Sequence, residues 1–181
     1  MCIRDSFQVM SHFSVYAFFS LYLDSLGYGK STIGLLWALS VVAEIVWFFL
    51  QGRLIGLLPM PRWMLVCGIA AVARLGLTAG LGGWIAALVV AQWLHALSFA
   101  AHHTTCIAVV SRRFPGRLRG RGQALFTVIG YGFGGVLGVL LGGAVAQAFG
   151  YRTMFALAAL LAVAGTLCAW KVMRLEAAAR R

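Results

Sequence analysis

Two ionisable residues stand in the middle of apolar runs: Glu44 in IGLLWALSVVAEIVWFFL and Arg74 in WMLVCGIAAVARLGLTAGL. A charge at the centre of a membrane helix costs about 2.5–3.5 kcal/mol on insertion scales, so such residues line a cavity or pair with each other. A carboxylate can take up and release a proton there, and a guanidinium can attract an anion. His95 is a third candidate. Glu44, Arg74 and His95 each lie eleven residues from the start of their own apolar run, at Ile33, Trp63 and Trp84. At 1.5 Å per residue that depth is about 16 Å, near the middle of a bilayer core.

More polar and aromatic residues share faces with these three. Gln92, His95, Phe99, His102 or His103, and Cys106 recur at intervals of three, four and seven, which place them on one broad helical face. His12, Tyr16, Phe19 and Tyr22 do the same in the first apolar run. Aromatic walls with a few polar anchors suit a small-molecule site. Glu44, Arg74, His95, His103 and Gln92 are therefore the candidates for substrate binding or proton coupling, and His12, Tyr16, Phe99 and His102 for cavity lining. The plain alternative is a structural ion pair between Glu44 and Arg74, with the histidines hydrogen-bonded between helices.

The elements that carry these residues are membrane helices. The chain has 181 residues, 62% hydrophobic and 10% charged, where soluble domains carry about 25% charge. Six runs are long enough, or nearly so, to cross a bilayer: Phe7 to Leu26, Ile33 to Leu50, Trp63 to Leu81, Trp84 to Val110, Ala124 to Phe149, and Met154 to Trp170. Each should be a helix, which satisfies its own backbone in lipid. The expected fold class is an all-α membrane protein of six transmembrane helices. Residues 1–6 read as an unstructured or foreign start, 7–172 as the bundle, and 173–181 as a basic tail. Gly82 and Gly83 mark a tight hairpin. The glycine-rich fifth run, with a GxxxG at Gly134 and Gly138, suits close helix packing or a hinge.

The net charge of +11 does not point to nucleic acid, because the arginines sit between apolar runs. Twelve Lys and Arg fall on the side of the N-terminus (Arg4, Arg53, Arg62, Arg112, Arg113, Arg117, Arg119, Arg121, Lys171, Arg174, Arg180 and Arg181), against Lys30 and Arg152 on the other. The positive-inside rule then puts both termini in the cytoplasm of a bacterial-type inner membrane.

Other chemistries fit poorly. Cys2, Cys67, Cys106 and Cys168 lack metal-site spacing, and three of them lie in apolar runs as small core residues. GYGKS resembles the end of a P-loop, but Asp24 stands where the motif needs its first glycine. There is no GxSxG, and Ser98 beside His95 reads as ordinary helix packing. Neither a catalytic residue nor a metal or cofactor is expected. A histidine-based membrane enzyme and a non-transporting structural bundle are the rival classes.

The runs GYGKSTIGLLWALSVVAEI, VARLG, QWLHALSFAAHH and RGQALF resemble the C-terminal half of major facilitator transporters. Within that family the likeness is to the phenylpropionate permease branch, related to lactose permease-type proton symporters. The resemblance covers nearly the whole chain after Phe7. It implies that the six helices correspond to helices seven to twelve of a twelve-helix transporter, one half of a major facilitator fold. In lactose permease-like relatives the eighth, ninth and tenth helices supply a glutamate, an arginine and a histidine, and Glu44, Arg74 and His95 stand on the matching helices. Those relatives also carry a titrating carboxylate on the tenth helix; here His103 is the nearest titratable group. The implied activity is proton-coupled uptake of a small organic solute such as an aromatic carboxylate, with a sugar or nucleoside as the alternative. The implied partners are substrate, protons, the lipid bilayer and an N-terminal six-helix half.

Overall fold

The computed structural model describes residues 2–178; Met1 and residues 179–181, with Arg180 and Arg181, lie outside them. The described residues form helices and no strands. Helix α1 spans Cys2–Ser25, α2 spans Lys30–Leu54 and α3 spans Met60–Leu81. Helix α4 covers Ile85–Arg113 and contains a π-helical turn at Ala96–Ala101. Helix α5 covers residues 119–149, with a second π-helical stretch at Thr127–Phe133. Helix α6 covers residues 151–178.

Local sequence explains the breaks. Leu58 is extended before Pro59, and Pro61 sits in the first turn of α3, where its missing N–H is harmless. Phe114 before Pro115 ends α4 in the same way. The chain between α5 and α6 turns at Gly150, whose φ of 82° and ψ of 163° belong to a region open essentially to glycine alone.

Both terminal helices run on into the expected end segments. Residues 2–6 are helical rather than unstructured, because neither glycine nor proline interrupts the chain from Cys2 to Ser25. Residues 173–178, part of the expected basic tail, are helical and continue α6.

Among the described residues four stretches are long and apolar enough to cross a membrane: Lys30–Leu57, Met60–Leu81, Ile85–Arg113 and Gly116–Leu175, the last interrupted at Gly150. Helix α1 is not one of them, since Gln8, Ser11, His12 and Ser14 make its first half polar. Leu35, Phe49, Val128, Leu140 and Leu160 point outward. An all-helical protein with so apolar an exterior is built for lipid.

The core clusters give the helix directions. One cluster joins Leu23 near the end of α1, Ile33 near the start of α2, Ala79 at the end of α3, Leu88 near the start of α4 and Phe155 near the start of α6. Another joins Trp47 toward the end of α2 with Trp63 at the start of α3 and Ala100 and Ala101 of α4. Successive helices therefore alternate in direction. Arg53, Arg62, the arginines of residues 112–121, and Arg174 gather at one end, with Lys30 and Arg152 at the other.

Glycines set two close contacts. A Cβ on Gly138 of α5 would lie 2.6 Å from the Met10 carbonyl oxygen of α1, so only hydrogen fits. Gly134, Gly135 and Gly142 face the same helix. Gly68 of α3 packs in like manner against Thr166 of α6. The glycine stripe of α5 thus lets its backbone approach α1 directly.

Candidate substrate and proton site

Glu44 of α2 and His95 of α4 are hydrogen-bonded, Glu44 Oε1 to His95 Nε2. Against an ionised carboxylate, which only accepts, the imidazole N–H donates. Helices α2 and α4 pack side by side here, which brings two residues far apart in sequence into contact. His95 is 1% exposed and the Glu44 side chain 19%, so the pair has a buried member and a member at the edge of the bundle.

Arg74 does not pair with Glu44. The guanidinium is 2% exposed, and its Nη1 lies 3.4 Å from His12 Nδ1 on α1. Arginine has no acceptor, so it donates and His12 accepts. The reason is helix rotation: Ala71, one turn before Arg74, and Leu75, next to it, pack in a core with Val15, Phe19 and Leu23 of α1, which aims this face of α3 at α1. The four ionisable groups still form one assembly, because the His12 ring lies 5.1 Å from that of His95 at an interplanar angle of 15°.

Aromatic rings extend this assembly in both directions. Phe99 stacks on His12 at 4.7 Å and on His95 at 5.3 Å. Tyr16 meets His12 edge-on at 4.8 Å and stacks on Trp37 at 5.7 Å. Trp37 Nε1 donates to Ser20 Oγ at 2.9 Å, which fixes the indole. Toward the arginine-rich end Phe99 stacks on His103, whose Nδ1 lies 3.0 Å from the Tyr131 hydroxyl of α5. The result is a continuous band of rings from α2 to α5. Tyr16 is 44% exposed and forms its open rim. Tyr131 also lines an apolar groove of about 990 Å³ between α1 and α5.

The other candidates lie around this band. Gln92 is buried one turn before His95, and neither atom of its amide has a hydrogen-bond partner among the described residues. His102 is buried with its Nε2 3.6 Å from Cys106 Sγ. Among the described residues no three metal-ligating side chains converge.

Sequence reasoning missed Trp37, Tyr131 and Ser98. Trp37 stands seven residues before Glu44, on the same helical face, and that spacing was available as a signal. Tyr131 is a lone hydroxyl among glycines.

A helical bundle with an apolar exterior and ionisable residues inside is a multi-pass membrane protein. The chain belongs to the MFS_1 like family, which matches residues 2–157. It is 28% identical over 148 residues to a protein of Escherichia coli (strain K12) described as a probable 3-phenylpropionic acid transporter. The match covers 82% of this chain and 38% of that protein, so the chain spans well under half the length of this relative. No solved structure matches the chain. The chain is thus a member of that family and resembles part of a protein described as a probable transporter of 3-phenylpropionic acid.

Proposed function

We propose that the chain forms six membrane-spanning helices, one half of a proton-coupled secondary transporter that takes up a small aromatic carboxylate. Both termini face the cytoplasm of an inner membrane, and a second six-helix half completes the substrate site. The observation that carries this reading is the Glu44–His95 hydrogen bond within apolar helices. Protonating Glu44 removes the negative charge that His95 holds and frees the two helices to shift. Protonation and helix movement are thereby linked, as alternating access of two bundles about a midplane site requires.

The ring band supports an aromatic solute. Trp37, Tyr16 and Phe99 offer apolar faces on which an aryl group can stack. A sugar or nucleoside would find few hydrogen-bonding groups on those faces. The resemblance to a transporter described for 3-phenylpropionic acid points the same way.

The test is uptake of radiolabelled 3-phenylpropionate by cells expressing the natural gene in full. Glu44→Gln should abolish accumulation driven by an acid-outside gradient while retaining substrate exchange across the membrane. Undiminished gradient-driven accumulation by Glu44→Gln would overturn the proposal. His95→Asn should impair coupling less, since the carboxylate that takes the proton is still present.

A further inference from the structure

A small cavity of about 10 Å³ lies beside Arg74, between α1, α3 and α4. His12, Arg74 and Ser98 are among its walls, and each is more than nine-tenths buried. Each also has an atom without a partner: His12 Nε2, Arg74 Nη2 and Ser98 Oγ.

All three can donate. Arg74 has only donors. Its Nη1 faces His12 Nδ1, which leaves the hydrogen of the neutral ring on Nε2. Ser98 requires more explanation. Other helical hydroxyls bond back to a carbonyl three or four residues earlier, as Thr78 does to Arg74 and Thr105 to Ala101. For Ser98 those acceptors would be the carbonyl of His95, to which it does not bond, and that of Leu94. The latter already takes the backbone N–H groups of Leu97 at 3.2 Å and Ser98 at 2.9 Å, where α4 enters its π-helical turn. The Ser98 hydroxyl is thus left for another acceptor.

Buried groups without partners call for a bound water or ion. The ionisable acid within the ring assembly, Glu44, is bonded to His95 and does not reach Arg74. We propose that this cavity is a monovalent-anion subsite, with Arg74, His12 and Ser98 as its donors. Its occupant is an oxygen of the transported carboxylate or, without substrate, a free halide. The volume admits about one water-sized atom, so in this conformation a single acceptor atom enters. A larger acid would reach it only as α1 and α4 part. The assignment deepens the transport reading and rests on it for the carboxylate.

Binding to the purified, full-length protein tests it, with thermal unfolding and tryptophan fluorescence as readouts. Sodium chloride is compared with sodium sulfate at equal ionic strength, sulfate being too large for the cavity. 3-Phenylpropionate is compared with its neutral amide. Ser98→Ala removes one donor and leaves no group unpaired, so the empty protein should melt as the wild type does while anion binding weakens about tenfold. Binding of acid but not amide marks the site as the substrate's; binding of chloride but not sulfate marks a free ion. Binding of neither, equal binding of acid and amide without chloride, or unchanged affinity in Ser98→Ala overturns the proposal and leaves a water in the cavity. These readouts need no proton gradient, so they stand apart from the Glu44→Gln test.

Discussion

His103 and Tyr131 meet through Nδ1 and the phenol hydroxyl at 3.0 Å, and the contact ties α4 to α5 beside both π-helical turns. Such turns cluster at functional sites because they place an extra residue on a helix and re-aim its neighbours. Tyr131→Phe removes the bond and keeps the edge-on ring contact with Phe126, at 5.6 Å. It should lower stability by about 0.6 kcal/mol, the average for such bonds between membrane helices. Unfolding in mixed detergent micelles checks this, and a loss several times larger would mean that the phenol ring itself is displaced.

Gly138 tests the packing of α1 on α5. Gly138→Leu should disrupt the bundle, because a Cβ there would sit 2.6 Å from the Met10 carbonyl. Gly132→Leu is the matched control, since its nearest neighbour, the Thr127 carbonyl oxygen, is 3.8 Å away. Size-exclusion chromatography of the two variants should show a monodisperse control and an aggregated Gly138→Leu.

His12 is the acceptor for a buried guanidinium. His12→Phe preserves a ring against His95 and Phe99 but leaves Arg74 Nη1 without its partner. The stability loss should be about 1.5–3 kcal/mol, as for hydrogen bonds to charged groups. His12→Asn, which keeps an acceptor, should lose less. A denaturation series on the three proteins gives the order, and equal losses would remove the Arg74 contact from the explanation.

Trp37 lies partly open in the ring band, stacked on Tyr16. Trp37→Leu should weaken binding of an aromatic acid by about tenfold, in line with roughly 0.5–1.5 kcal/mol for an aromatic pair. An aliphatic acid of equal length should bind wild type and variant alike. Isothermal titration with both acids separates ring stacking from simple burial.

That the charged residues share one level of the bundle was legible in the sequence, because helix rise converts residue number into distance. Glu44, Arg74, His95 and His12 do gather in one assembly. Which of them pair was not legible. Partner choice depends on the rotation of each helix about its axis, and that is set by a core that gathers residues distant in sequence, such as Leu75 and Phe19. The π-helical turns left no mark in residue type either, so the freed hydroxyl of Ser98 could not be foreseen. The start of α1 is helical where its polar residues suggest a loop in an apolar chain, since nothing between Cys2 and Ser25 opposes a helix.

Gly150 has a reach beyond its own turn. An uninterrupted helix over Gly134–Ala178, 45 residues, would be about 68 Å long, more than twice the thickness of a bilayer core. The reversal at this residue turns that rod into two antiparallel arms and brings Arg152 within 3.0 Å of the Ala79 carbonyl. The backbone at this one residue therefore decides whether α6 runs back along α3 or away from the bundle. A side chain at Gly150 would strain that turn and loosen the return of α6, and with it the seat that Thr166 finds against Gly68.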